Sequence, residues 1–378
     1  MSMEHGNISS GGRLFSLDLL RGLDMMLLVV VYPLVMAAAK VWNVPPWILR
    51  QLEHPRWVGF TVLDMVMPLF IFMCGASIPF SLERRLEKNG GRPDAAYWKH
   101  VVMRFLMLWG LGLLVQGYVT TLDPAEILPY SNTLQTIACG YLVAACLVLS
   151  GNMRFKVGVT VALAVLYGVL QSFGDYTRVA AGAPGGDFAV LCESKIVRFL
   201  YPEHWAAVRI VHCDYYTWYV TSPMFVVMTM CGYFATRILK ADWTARRKLA
   251  FLGLYAGVLV ACGAVLSVWV PVIKHTFSVS FTALAMGISV ALLAVLYWLT
   301  DVLGFRRGLG VCILFGQFAL TAYLCEEYFK PVFVSFTDMI LRPGVARITG
   351  RYLPVVAAVA GIVEVILVLM IRRGLKRR

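Results

Sequence analysis

The sequence predicts an all-α membrane protein that crosses the bilayer about ten times, with its N- and C-termini in the cytoplasm. Two observations predict this class. The 378 residues are 60% hydrophobic and only 15% charged, and the apolar residues form runs long enough for helices to cross a bilayer. The basic residues collect in alternate loops between these runs. No run is left over for a separate soluble domain, so residues 1–378 are predicted to form one membrane domain.

The predicted spans follow from their apolar length and from the loop residues that separate them. They cover residues 14–38, 57–82, 98–118, 133–150, 154–174, 217–239, 247–269, 278–301, 308–329 and 352–372. The first span resembles a signal peptide in its position. Asp18, Arg21 and Asp24 interrupt its apolar run, so it is predicted to remain uncleaved.

The orientation follows from the basic clusters, which come after the second, fourth, sixth, eighth and tenth predicted spans. Loops rich in Lys and Arg stay in the cytoplasm, so both termini are predicted to lie there. The net charge of +13 therefore indicates anionic membrane lipid, and not nucleic acid, as the partner of the basic residues.

The longest outer loop, at about 175–216, is rich in aromatic residues and is predicted to form a folded lid at the membrane surface. Cys192 and Cys213 both fall in this loop, and the sequence leaves open whether they form a disulfide or stay reduced. The cysteines show no metal-ligand spacing, so no metal is predicted.

His54 and Asp64 are the predicted catalytic pair. A charged residue in a membrane helix costs several kcal/mol and usually faces a protein interior or a wet cavity, as predicted for Asp64. Trp57, Asp64 and Gly75 share one face if the helix begins at residue 57. His54, just before that helix, could exchange a proton at neutral pH or act as a nucleophile. The alternative interpretation of His54 is a solvated loop side chain.

Basic groups at the inner ends of the helices are predicted to contact an anionic ligand. Asp18 and Arg21 are three residues apart and therefore neighbours on one face of the first helix. They form either a self-neutralised pair or the inner mouth of a cavity. Arg104 enters the third helix from the same side, and Gln135 is a polar group in the fourth.

A second group of predicted contacts lies at the outer ends of the helices, where a hydroxyl-rich or cationic acceptor could bind. The alternative interpretation is interfacial anchoring. This group contains Trp57, Lys274, His275, Glu326 and Glu327.

These segments together resemble the transmembrane acetyltransferases, the family of heparan-α-glucosaminide N-acetyltransferase. The resemblance starts at SLDLLRGLD and is most specific in the pattern H-x-x-W-x-G-x-T-x-x-D of residues 54–64. It continues through TLQTIACGYLVAA, GAPGGDF, VPVIKHTFSVSF and GQFALTAYLCEEYF in the same order. The chain is expected to be a short relative of bacterial type.

The resemblance implies that acetyl moves from cytosolic acetyl-CoA across the membrane to an amino sugar or glycan outside. It places the catalytic histidine at His54, the second-helix carboxylate at Asp64 and a first-helix pair at Asp18 and Arg21. It also places a lysine at Lys274 and a glutamate at Glu327. We hypothesise that Arg21 and Arg104 meet phosphates of the donor, with Gln135 placed beside it. A bacterial inner-membrane location and a homodimer are also expected.

Four positions depart from the family pattern, and they leave the acceptor open. Tyr32, Ile273 and Phe318 stand where relatives carry asparagine, and Thr136 stands where they carry arginine. Transfer to a hydroxyl of an envelope polysaccharide is therefore an alternative. A proton-coupled transporter is the alternative from another class, based on carboxylates in membrane segments.

Overall fold

The computed structural model describes residues 14–116, 119, 127–176, 179, 186–200, 216–329 and 353–375. Cys213 and the outer loop at 330–351 lie outside these ranges. The described residues are helical and contain no β-strand, with a single antiparallel bridge between Val58 and Ile273. Eight helices are long and apolar enough to cross a membrane, which confirms the all-α, multi-pass class. The count of ten crossings and the cytoplasmic termini stay predictions.

The described residues of the first half of the chain form seven helices. They are α1 (Phe15–Met26), α2 (Tyr32–Ala39), α3 (Pro46–Gln51), α4 (Val66–Lys88), α5 (Ala95–Gln116), α6 (Thr133–Leu149) and α7 (Met153–Gln171). A π-helical turn, Leu27–Val31, joins α1 to α2, and a 3-10 turn, Leu63–Met65, leads into α4.

Seven more helices lie among the described residues of the second half. They are α8 (Phe188–Leu200), α9 (Ser222–Lys240), α10 (Ala245–Leu266), α11 (Val279–Tyr297), α12 (Gly310–Gln317), α13 (Ala319–Leu324) and α14 (Leu353–Leu375). π-helical turns follow α11 at Trp298–Val302 and α13 at Cys325–Phe329. The ninth predicted span is therefore divided between α12, α13 and the second of these turns.

The helix predicted from residue 57 is wrong at its start, because the regular turns begin only at Leu63. Gly59 has φ +149°, which a side chain disfavours, and the Gly59 amide donates to the Val272 carbonyl at 2.9 Å. Trp57 therefore lies in an irregular segment before the helix and does not share a helical face with Asp64. The non-helical segment before Leu63 therefore determines the positions of Trp57 and His54 relative to the helix.

The chain divides into two compact units. The first contains Pro55–Phe60 and Met67–Trp298, and the second contains Leu14–His54, Thr61–Val66 and the chain from Leu299 onward.

In the first unit, α4 and α9 are the most buried spans, and they pack backbone to backbone at Gly75 and Gly232. A Cβ at Gly75 would lie 1.7 Å from the Thr229 carbonyl oxygen, and one at Gly232 would lie 1.9 Å from that of Phe72. Small residues at such contacts are the usual means by which membrane helices associate.

The second unit uses the same device between α1 and α12. A Cβ at Gly22 would lie 1.8 Å from the Cys312 carbonyl oxygen, and one at Gly316 would lie 1.9 Å from that of Asp18. The close approach fixes the helix that carries Asp18 and Arg21.

Candidate functional site

His54 and Asp64 form a hydrogen-bonded pair in the second unit. His54 Nδ1 lies 2.7 Å from Asp64 Oδ1. The Asp64 side chain is fully buried, whereas that of His54 is 40% exposed. A carboxylate only accepts hydrogen bonds, so it holds the proton of a neutral imidazole on Nδ1 and leaves the lone pair on Nε2. The pair therefore presents an accessible base that is oriented by a buried carboxylate.

Thr61 holds the other oxygen of Asp64. Its amide donates to Asp64 Oδ2 at 2.9 Å, and its hydroxyl donates to the same oxygen at 3.0 Å. The arrangement is the reach-back half of a capping box, in which an acidic side chain bonds the amide of the residue three positions before it. The sequence Thr-Val-Leu-Asp at 61–64 carries this signature, and it marks the true start of the helical turns. Sequence reasoning missed it.

The segment before this turn is fastened by Gln51, at the end of α3. Its side-chain oxygen accepts from the Val62 amide at 3.2 Å. α3 and the turn at Leu63–Met65 are thereby tied together on either side of His54. A contact between His54 and Asp64 was expected to need inward folding of the loop, and the non-helical segment before Leu63 provides it.

Asp18 and Arg21 are neighbours on α1, in the same unit, as their spacing predicted. Arg21 donates to Asp18 Oδ1 at 3.4 Å, and the two side chains are 24% and 10% exposed. Glu326 and Glu327 lie half-buried in the π-helical turn Cys325–Phe329. Their roles as ligand contacts stay predictions.

Three rings stack in the first unit. The His275 ring lies between Trp57, at a centroid distance of 4.8 Å, and Tyr216, at 4.6 Å, with interplanar angles of 16° on both sides. The bridge between Val58 and Ile273 sets Trp57 against this loop. Lys274 Nζ lies 5.7 Å from the centre of the Tyr216 ring. The structure thus brings together Trp57, Lys274 and His275, and adds Tyr216, which sequence reasoning did not select.

Trp57 is 5% exposed, and its indole nitrogen has no hydrogen-bond partner within the described residues. The ring belongs to an apolar cluster with Ile273 and with Val190 and Val197 of α8. α8 is the described helix of the outer loop, so this part of the loop packs against Trp57, and the role of the loop as a lid stays a prediction.

Two buried carboxylates fasten the outer loop. Glu193 accepts from the amides of Trp218, Tyr219 and Val220 at 2.8, 3.0 and 2.9 Å. Asp187 accepts from the Ala189 amide at 2.9 Å and from the Thr276 hydroxyl at 3.1 Å. Burial raises the pKa of Asp187 to about 6 and also raises the pKa of Glu193.

Arg104 and Gln135, the other predicted donor contacts, make local contacts in the first unit. The Arg104 guanidinium lies 4.5 Å from the centre of the Tyr141 ring and donates to Cys74 Sγ at 3.7 Å. Gln135 is fully buried; its amide accepts from Ser131 N at 2.8 Å and donates to the Pro129 carbonyl at 2.6 Å. These bonds give Gln135 a part in holding the start of α6, and its contact with a donor stays a prediction.

Residues 13–255 match the family pattern described as heparan-alpha-glucosaminide N-acetyltransferase, catalytic. The chain belongs to this family. The match includes the pair of His54 and Asp64 and confirms the resemblance drawn from residues 54–64. Lys274, His275, Glu326 and Glu327 lie beyond it.

Two relatives share part of the sequence. The heparan-alpha-glucosaminide N-acetyltransferase of Mus musculus is 29% identical over 141 residues, which cover 37% of this chain and 20% of the relative. That of Homo sapiens is 28% identical over 137 residues, which cover 36% and 19%. The matched segment thus spans no more than a fifth of either relative's length. The chain is a multi-pass membrane member of this acetyltransferase family.

Proposed function

We propose that the protein transfers an acetyl group from cytosolic acetyl-CoA to an amino sugar or glycan on the outer side of a bacterial inner membrane. The observation that carries the proposal is the pair of His54 and Asp64, with its buried carboxylate and accessible imidazole. Family membership supports acetyl transfer as the reaction, and the eight long apolar helices support its place in a membrane.

In direct transfer, the acceptor nitrogen attacks the thioester carbonyl carbon. A new C–N bond forms, the C–S bond breaks, and CoA leaves as a thiolate. His54 Nε2 takes the proton from the acceptor nitrogen and passes it to the thiolate sulfur. Asp64 holds the Nδ1 proton and stabilises the imidazolium that exists between these two proton transfers.

In transfer through the enzyme, His54 Nε2 itself attacks the thioester and becomes acetylated while CoA leaves. The acceptor nitrogen then attacks the acetyl carbon, a C–N bond forms and the bond to Nε2 breaks. The released imidazole takes the proton of the acceptor nitrogen and returns it to solvent, from which the CoA thiolate is protonated. Both routes need the tautomer that Asp64 imposes, and they differ in kinetics. An acetylated intermediate gives ping-pong kinetics and incorporation of radiolabelled acetyl into the protein before acceptor is added.

The experiment measures CoA release from acetyl-CoA by purified protein, with glucosamine as acceptor, in wild type and in His54→Ala. We expect the variant to lose about 10²–10⁴-fold in rate, the usual contribution of a positioned acid–base group. His100→Ala, which removes a histidine on α5, is the matched control and should keep the wild-type rate. Full activity in His54→Ala would exclude this role for the histidine.

A proton-coupled transporter is the second candidate, and one observation favours it. Asp24 on α1 is 3% exposed, and neither of its carboxylate oxygens has a hydrogen-bond partner among the residues that the structure describes. Buried carboxylates in membrane helices often carry protons in transporters. Binding of acetyl-CoA separates the two functions, since a transporter has no need of this donor.

Calorimetry with acetyl-CoA and detergent-purified protein makes this distinction. We expect saturable binding that weakens in Arg21→Ala, because the Arg21 guanidinium is proposed to meet a donor phosphate. Arg84→Ala, at an exposed position near the end of α4, should bind as the wild type does. Absence of binding at millimolar acetyl-CoA would favour the transporter.

A further inference from the structure

A groove of about 630 Å³ lies on the first unit, between α7, α9 and α10. Its lining is apolar along most of its length and includes Val157, Val161 and Ala164 of α7 and Leu259 of α10. α9 is largely buried in the unit and forms the floor, whereas α7 and α10 are mostly exposed and form the walls. The groove therefore opens toward the surroundings of the helices.

The dimensions of the groove match one hydrocarbon chain. Its lining runs along α7 from Met153 to Ala164, which is about 16 Å at the rise of an α-helix. α7, α9 and α10 are all long and apolar enough to span a membrane, so the groove faces the acyl region of the bilayer. An apolar groove of this length at this depth fits a lipid chain.

The end of the groove is basic. Arg237 lines it, and its side chain is 42% exposed while it donates to Glu83 at 2.9 Å. Trp243 lines it as well, and the Arg247 guanidinium lies 4.6 Å from the centre of its ring. The segment 237–248, from the end of α9 to the start of α10, also contains Lys240, Arg246 and Lys248. Asp242 is its single acidic residue. An indole beside several cations is typical of the level of lipid headgroups.

We propose that the groove binds one anionic glycerophospholipid of the inner leaflet, with an acyl chain between α7 and α10 and its phosphate at Arg237. The positive end attracts the negative headgroup, and the apolar lining covers the chain. A second copy of this chain fits the surface poorly, because it would bring the same cluster of positive charges against this one.

The experiment measures lipid binding to delipidated, detergent-purified protein by native mass spectrometry. The probes are phosphatidylglycerol and phosphatidylcholine with identical acyl chains. We expect one phosphatidylglycerol per chain, bound about fivefold more tightly than phosphatidylcholine. Both headgroups carry a phosphate, but the choline ammonium offsets its charge, so Arg237 attracts the net negative headgroup of phosphatidylglycerol more strongly. Equal affinity for the two lipids would overturn the proposal.

Two valines on α7 give a matched test of the groove. Val161 lines it and is 54% exposed, whereas Val165 is 58% exposed one turn further along and does not line it. Val161→Trp should lower the affinity for both lipids, and Val165→Trp should leave it unchanged. Equal loss in both variants would contradict this location. A paired-chain mass that Val161→Trp removes would identify a second copy as the occupant and also overturn the proposal.

Arg237 tests the headgroup contact. Arg237→Gln should bring phosphatidylglycerol down to the affinity of phosphatidylcholine, and Arg237→Lys should retain most of the preference. Arg246→Gln, at an exposed position outside the lining, is the control. A retained preference in a folded Arg237→Gln would contradict the contact. If that variant does not fold, the comparison of the two valine variants and of the two lipids decides the outcome.

Discussion

Two buried carboxylates in this protein have opposite kinds of partner. Asp64 bonds the imidazole of His54, which is 40% exposed. Glu83 on α4 bonds two cationic side chains and a phenol: Arg237 at 2.9 Å, the Tyr233 hydroxyl, and Lys156, whose ammonium lies 3.9 Å away. Burial is similar in the two regions, so the partner decides which carboxylate can take part in chemistry. Asp64 is proposed to orient a base, and Glu83 on α4 bonds side chains of α7 and α9.

The largest expected effect comes from Asp64→Asn. Asparagine keeps the shape of the side chain but can offer His54 an N–H donor, which favours the wrong tautomer. We expect the rate of acetyl transfer to fall about 10²–10⁴-fold with little change in melting temperature. CoA release at saturating donor is the measurement. A rate within a factor of about two of wild type would place Asp64 with Glu83 as a structural carboxylate.

Glu83→Gln should have the opposite pattern, with a loss of stability and no loss of rate. It leaves Lys156, which is 4% exposed, without its carboxylate, and breaking a buried ion pair in this way costs about 3–5 kcal/mol. We expect a lower melting temperature in detergent and an unchanged rate per folded molecule. Glu87→Gln, an exposed carboxylate one turn further along α4, should melt as the wild type does. A lost rate without lost stability would give Glu83 a role in the reaction.

The parts of the molecule differ in how far the sequence could predict them. The spans were predicted well because an apolar run of helical length is a local signal. The Thr-x-x-Asp pattern at 61–64 is also local and could have located the start of α4. The position of Trp57 could not be predicted, because it depends on a bridge to Ile273 more than two hundred residues away. Tyr216 was missed for the same reason, since its stacking on His275 follows from folding of the outer loop.

Asp187 extends the comparison to a buried carboxylate whose hydrogen bonds within the described residues come from neutral donors, the Ala189 amide and the Thr276 hydroxyl. Burial raises its pKa from 3.8 to about 6, so the folded protein holds this proton more tightly than the unfolded chain does. Its contribution to stability is complete below pH 3.8 and is lost as the pH rises through about 6. We expect the melting temperature of wild type to fall between pH 5 and pH 7 more than that of Asp187→Asn. The pKa of Glu193 is raised as well, but this residue is present in both proteins and cancels. Parallel melting curves across that range would contradict the assignment.

The smallest effect is expected at Thr61, and it separates orientation of Asp64 from burial of Asp64. Thr61→Val removes the hydroxyl bond of 3.0 Å to Asp64 Oδ2 and keeps the amide bond of 2.9 Å, so the carboxylate stays buried but is held less firmly. One such bond contributes about 1 kcal/mol, which predicts a rate about fivefold below wild type if orientation of the carboxylate matters. Thr61→Ser keeps the hydroxyl and should restore the rate. If serine and valine reduce the rate equally, the methyl group of Thr61 and not its hydroxyl supports the site. The position of Asp64 beside His54 would then depend on the packing of side chains around Asp64 and not on its hydrogen bond to the Thr61 hydroxyl.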